Sequence, residues 1–277
     1  MPTHHILYGL AWSSHAMFAE PLPDALKRLV ASGLRVVEAD TTLWSDESFR
    51  KTLVQYSLIP VVRCAVATPN ELAPSLHLAR DAGALLVTVQ VDHALSDSGT
   101  AIDLISAMCD MAAGAGVRIV FEAHCPSPAQ DLALTADLAR ALPRLGWNLC
   151  IPEHFDVSAP SGPWADLKAW PEPILSRTQM IRGAMPGTAP RPETPDQSSH
   201  PGVPGLVSTW AEAMRRWRRT APPGSAFVFT VDTRPPGEAG AGSDQQTTAD
   251  CWRRVMAIRA LGEEAWKCSA KPASVSA

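Results

Sequence analysis

Glu38, Arg63, Asp92, His93, Glu122, His124, His154, Gln179 and Asp232 stand at or just beyond the ends of short apolar, β-branched runs. Residues of these types can move protons, grip a carboxylate or ligate an ion, provided that the chain brings several of them to one place. Glu38 and Arg63 suit an ion pair across such a place or a grip on a substrate carboxylate, because guanidinium and carboxylate match in two-point geometry. Asp92-His93 joins a carboxylate to an imidazole, which raises the imidazole pKa towards neutrality. Adjacent residues on an extended chain point to opposite faces, however, and this argues against their acting as a dyad. Trp12 and His15 suit stacking on and bonding to a ring, or an apolar cover over the same space. His4 and His5 read as solvated chain ends. Cys125 beside His124 is followed by Pro126 and has no third group to orient it, so no nucleophile is expected there.

Positioning such residues together requires strands whose ends share one face. Short β-branched runs alternate with amphipathic runs along the chain, the pattern of successive strand–helix units feeding a parallel sheet. Eight strands are predicted, beginning near Ile6–Trp12, Arg35–Ala39, Pro60–Val66, Leu85–Val91, Arg118–Ala123, Trp147–Pro152, Thr178–Arg182 and Ala226–Val231. Helices between them should end at Gly33, Gly83, Gly116 and Gly146, each suited to a left-handed cap. From Ala101 to Ala115, Ile102, Leu104, Ile105, Met108 and Met111 form one apolar stripe for packing against the strands. Two stretches rich in Pro, Gly, Ser and Asp break the rhythm, 183–205 and 234–247. They follow strands seven and eight, on the face where barrel active sites are built, and are expected to be lids or disordered segments.

The chain has 277 residues, a length that suits a single (β/α)8 barrel domain over 1–277. A net charge of −4 with mixed signs offers no basic field for nucleic acid. The run Arg215, Arg216, Arg218, Arg219, interleaved with Trp217, reads as the solvated face of an outer helix. Six cysteines without a C-x-x-C pair, and no signal peptide ahead of the first strand, point to a reducing cytoplasm. No apolar run approaches the roughly 20 residues of a membrane span. The expected partner is a small-molecule substrate, with homo-oligomerisation left open.

Five segments carry a resemblance: Ala31-Ser32-Gly33-Leu34-Arg35-Val36-Val37-Glu38, Phe121-Glu122-Ala123-His124, Ile151-Pro152-Glu153-His154-Phe155, Gln179-Met180 and His200-Pro201-Gly202-Val203-Pro204-Gly205. In order and spacing they resemble the xylose isomerase-like barrels, and among these the sugar phosphate isomerase/epimerase group that includes 3-dehydroshikimate dehydratases. The resemblance implies a divalent metal held by a glutamate on strand five, an aspartate opening an Asp-x-x-His motif on strand six, a His or Gln on strand seven and a glutamate on strand eight. The metal would clamp a carbonyl and its neighbouring hydroxyl and stabilise the enediolate formed when a proton leaves the adjacent carbon. Carried over, Glu122, His154 and Gln179 match, whereas the aspartate falls at Ile151 and the last glutamate at Thr230, with Asp232 two residues on. An arginine that commonly precedes the Pro-Gly loop is replaced by Ser198 or Ser199, with His200 nearby.

Two anionic ligands are thus replaced by neutral groups, and hard-cation affinity follows the number of charged oxygens. Either no metal is held, or one ion sits on a rebuilt set of Glu122, His154, Gln179 and Asp232, with Glu153, His124 or His93 as spares. Nitrogen-rich ligation of that kind favours Zn²⁺ or another transition ion over Mg²⁺. The expected catalytic residues are His154, Glu122 and Gln179, and the expected substrate contacts are Glu38, Arg63, Trp12, His93, His124 and His200. The function expected is a lyase or isomerase for a small polyhydroxylated or cyclic carbonyl compound. The alternative is a metal-free barrel that binds a small molecule without turnover.

Overall fold

A computed structural model describes residues 4–12, 20–91, 98–123, 132–150, 172–184, 203–232 and 248–271. Eight parallel strands close into a barrel in sequence order: β1 (His5–Trp12), β2 (Val36–Asp40), β3 (Ile59–Val66), β4 (Leu86–Val91), β5 (Ile119–Ala123), β6 (Trp147–Leu149), β7 (Thr178–Gly183) and β8 (Ala226–Val231). The helices between and after them are α1 (Leu22–Ala31), α2 (Thr41–Ser45), α3 (Glu47–Gln55), α4 (Pro69–Asp81), α5 (Ser98–Gly114), α6 (Leu132–Ala141), α7 (Glu172–Ser176), α8 (Val203–Thr220) and α9 (Thr248–Ser269). The strands fall where the β-branched runs place them, except that β6 ends at Leu149, because Val and Ile fit the pleated surface better than the helix.

Side-chain alternation divides the strands into two cores. Outward residues such as Val37, Val62, Val87, Phe121, Trp147, Ile181 and Phe229 pack against the helices. Inward, Val36, Val61, Leu86, Val120, Met180 and Val228 form a separate, fully buried apolar plug. On each of these strands the next inward residue is polar or charged: Glu38, Arg63, Thr88, Glu122, Arg182 and Thr230. The barrel interior therefore changes from hydrocarbon to charge in one two-residue step, on its C-terminal side.

The helix ends are set by glycine at three of the four expected places. Gly33, Gly83 and Gly116 have φ of 73°, 63° and 68°, the left-handed region. The amides of Leu34, Ala84 and Val117 reach back to the carbonyls of Leu29, Ala79 and Ala112 at 3.1, 2.8 and 3.0 Å, closing Schellman caps. Gly146 is different. A Cβ there would lie 2.6 Å from Gln179 Nε2 and 3.0 Å from Val120 Cγ1, so close approach and not a positive φ requires the glycine.

On α5 the apolar stripe is packed as expected, with Ile105 and Met108 fully buried. The arginine run differs from a merely solvated face. Arg215 and Arg216 both bond Glu212 on the preceding turn, and the Arg218 guanidinium lies 3.5 Å over the Trp266 ring of α9, while Trp217 is buried. The first long stretch is shorter than expected, because β7 runs to Gly183 and α8 begins at Val203. Residues 185–202 and 233–247 lie outside the described residues. Among the described residues no helix is long and apolar enough to cross a membrane.

Candidate active site at the barrel mouth

Arg182, from β7, is the centre of the charged layer. It is buried, and its Nε donates to Glu38 Oε2 at 3.1 Å, while its Nη2 is shared between Glu38 Oε1 and Glu122 Oε1. Burial opposes its charge, but Cys150, Glu122 and Glu38 together hold its pKa well above the ordinary guanidinium value. Arg182 is therefore a fixed cation between two carboxylates of β2 and β5.

Each carboxylate is further committed. Glu38 also accepts from Thr88 Oγ1 at 3.1 Å and from Thr230 Oγ1 at 2.8 Å, so each of its oxygens takes two donors and its capacity is full. Glu122 accepts from Arg63 Nε at 3.1 Å and, more weakly, from Arg63 Nη2 at 3.5 Å. The same Nη2 donates to Gln90 at 3.1 Å. Arg63 keeps 26% of its side chain exposed and, with the half-buried Gln90, brings the network to solvent.

The layer also holds unfilled polar atoms. Asn148, beside Glu122 in the β5–β6 register, is fully buried, and neither its Nδ2 nor its Oδ1 has a hydrogen-bond partner among the described residues. The same is true of Arg182 Nη1. Asp232, after β8, is buried on the inward alternation of Val228 and Thr230, and its charge is felt by Arg254 of α9.

Several sequence expectations are corrected. Gln179 does not join Glu122. β6 and β7 slip in register between Trp147 and Asn148, so that Trp147 opposes Thr178, Asn148 opposes Met180, and Gln179 is the extra residue of a bulge. Its amide lies against Gly146, ahead of β6, near the N-terminal end of the barrel. Glu38 and Arg63 do not pair with each other, since Glu38 holds Arg182 and Arg63 holds Glu122. The saturated Glu38 carboxylate positions Arg182 and has no lone pair left for a substrate. Trp12 takes the outward alternation at the end of β1 and meets Phe49 of α3 edge-on at 6.5 Å, so it packs under the helix layer and does not stack over the mouth. His93, His124, Ile151, His154 and His200 lie outside the described residues.

Two members of the rebuilt metal set are not free to meet at one ion: Glu122 is bonded to two guanidinium groups, and the Gln179 amide lies against Gly146. A third, His154, lies outside the described residues. A divalent ion beside Glu122 would meet two fixed cations whose charges already offset the two carboxylates. Among the described residues, no group of three or more His, Cys, Asp or Glu side chains is placed to hold a metal.

Sequence reasoning missed Arg182 and Asn148. The signal was the period of two: Val36-x-Glu38, Val61-x-Arg63, Val120-x-Glu122 and Met180-x-Arg182 repeat one plug-then-charge step on four strands.

No family model matches the chain, and no curated protein matches it by sequence. Solved structures do match in shape. A xylose isomerase domain protein from Planctomyces limnophilus superposes with a TM-score of 0.61 at 14% identity, covering 96% of this chain and 100% of that one. A "probable 3-DHS dehydratase" from Bacillus anthracis gives 0.54 at 11% identity, over 95% of this chain and 100% of that one. A xylose isomerase-like TIM barrel protein from Mycobacterium smegmatis, in complex with magnesium, gives 0.53 at 13% identity, over 95% and 97%. The chain has the xylose isomerase-like (β/α)8 barrel fold.

Proposed function

We propose that this xylose isomerase-like barrel is an isomerase or lyase for a small polyhydroxylated or cyclic carbonyl compound, bound at the barrel mouth and turned over by loss of a proton beside the carbonyl. One observation carries the reading: directly above an apolar plug, strands from around the barrel direct Glu38, Arg63, Thr88, Glu122, Asn148, Arg182 and Thr230 into one layer, and two of them keep unfilled polar atoms. A barrel that served only as a scaffold would gain stability by continuing the plug, because buried polar groups without partners are costly.

In the proposed reaction a base takes the proton from the carbon beside the carbonyl, and the bonding electrons pass to the carbonyl oxygen, giving an enediolate. Return of the proton to the neighbouring carbon completes an isomerisation. Expulsion of a hydroxyl from the next carbon, with a proton, completes a dehydration. We assign the proton transfer to His154, which follows β6 in the sequence and carries an imidazole, the side chain most often used for general acid/base work. Glu122, fixed by Arg63 and Arg182, is assigned to orient substrate hydroxyls.

The test is turnover of a panel of keto-sugars and cyclic polyols that includes 3-dehydroshikimate, with His154→Gln compared against the parent for rate and melting temperature. Removing a general acid/base lowers the rate by about 10²–10⁴-fold while leaving folding intact. A rate within about threefold of the parent, well short of that loss, removes His154 from the mechanism. Ligand-induced stabilisation without any turnover would favour a binding protein.

A further inference from the structure

We propose that Arg182 is the electrophilic cation of the mouth, and that its free Nη1 edge and the Asn148 amide form one binding pair for a ligand oxygen flanked by a hydroxyl, without a divalent metal. The inference rests on reading the mouth as the substrate site, and it narrows the ligand to compounds with an acceptor oxygen, carbonyl or oxyanion, beside an alcohol.

Three observations converge on it. Glu38 uses all its lone pairs, with Arg182 taking two and Thr88 and Thr230 the others, so the guanidinium is held with its Nε and Nη2 edge turned to the carboxylates. Its remaining Nη1 is buried and lacks a partner among the described residues, and a charged donor left so is more costly than a neutral one. Asn148, at the level of Glu122, is buried with both ends of its amide unfilled. The Nη1 edge offers only donors, whereas the amide offers donors and an acceptor. An oxygen that only accepts satisfies Arg182, and a neighbouring hydroxyl, which both donates and accepts, satisfies Asn148. A hydroxy-carbonyl compound and its enediolate present that pair of groups, and charge developing on the oxygen would strengthen its bond to a guanidinium fixed in advance.

The arrangement also disfavours a divalent ion beside Glu122. Arg182 lies between Glu38 and Glu122 and Arg63 flanks Glu122, so two cations already balance two carboxylates.

Glycolate, a carboxylate beside a hydroxyl, is the probe, titrated calorimetrically into the full chain with and without EDTA. We expect binding that EDTA leaves unchanged. Asn148→Leu should raise the melting temperature, since it replaces an unsatisfied buried amide by a side chain of similar size, yet weaken glycolate about tenfold or more, the loss of one hydrogen bond to a charged ligand. A purely structural asparagine would give the first effect without the second. Arg182→Met, which removes the cation shared by Glu38 and Glu122, should lose glycolate and acquire a melting-temperature rise with Mn²⁺ that the parent lacks. Because Arg182→Met removes the partner of two buried charges and is the variant most at risk of not folding, Asn148→Leu decides alone if needed. Failure of the parent to bind glycolate, binding lost in EDTA and restored by Mn²⁺, or Asn148→Leu binding like the parent would each overturn the proposal. None of these readouts depends on turnover, so a failure of catalysis and a failure of this pair are separable.

Discussion

Arg182 and Glu38 fix one another, and the small residues around them decide how firmly. Thr230 stands where the resemblance places a glutamate, and its hydroxyl gives Glu38 a hydrogen bond of 2.8 Å inside the barrel. A glutamate there would add a third carboxylate to the layer, whereas threonine adds a donor. Thr230→Val keeps the shape and removes that donor, leaving a buried charged acceptor short of one bond. Denaturant unfolding should show a loss of about 1–3 kcal/mol, with Thr230→Ser close to the parent. An unchanged stability in Thr230→Val would mean that Glu38 does not depend on this contact. At this scale the sequence was partly legible. Glu38, Arg63 and Glu122 were visible as charged residues at strand ends, but their pairing was not, because which cation meets which carboxylate depends on barrel tilt and side-chain reach. Arg182 was hidden behind its neighbour Gln179, which fits the resemblance better and points elsewhere.

Strand boundaries were legible to within a residue apart from the end of β6, and three helix ends to within two residues of their glycines, since β-branched runs and glycine caps are local signals; α6, which ends at Ala141 well before Gly146, has no such cap. The exception lies between β6 and β7. A bulge adds a residue to one strand without marking the sequence, and it shifts every face assignment before it relative to those after it. Gly146 is the counterpart of that bulge, because Gln179 fills the space that a Cβ would need. Gly146→Ala should therefore destabilise the barrel by about 1–3 kcal/mol, the usual range for overpacking. Adding Gln179→Ala should recover most of the loss, and Gln179→Ala alone should leave glycolate binding at the parent level. A single Gly146→Ala variant as stable as the parent would show that the two strands separate freely at this point. Loss of glycolate binding in Gln179→Ala would return Gln179 to the mouth.

Across the whole molecule, the apolar plug and the charged layer form one gradient along the barrel axis, built by the same two-residue step on strands from every side. The plug seals the N-terminal end, and the charged layer faces the side where the segments after the strands begin. Within that layer, among the described residues, the guanidinium groups of Arg63 and Arg182 are paired with the carboxylates of Glu38 and Glu122. The sequence showed neutral residues where the resemblance implies metal ligands, but not the Arg182 bridge, because that cation comes from a different strand. The most direct test of this account is a crystal structure of the chain grown with glycolate and Mn²⁺ together. A glycolate oxygen is expected at about 2.7–3.0 Å, a charge-assisted hydrogen-bond distance, from Arg182 Nη1, with its hydroxyl against Asn148 and Arg182 still bridging Glu38 and Glu122. Manganese ligated by Glu122, with Arg182 displaced from the two carboxylates, would contradict it.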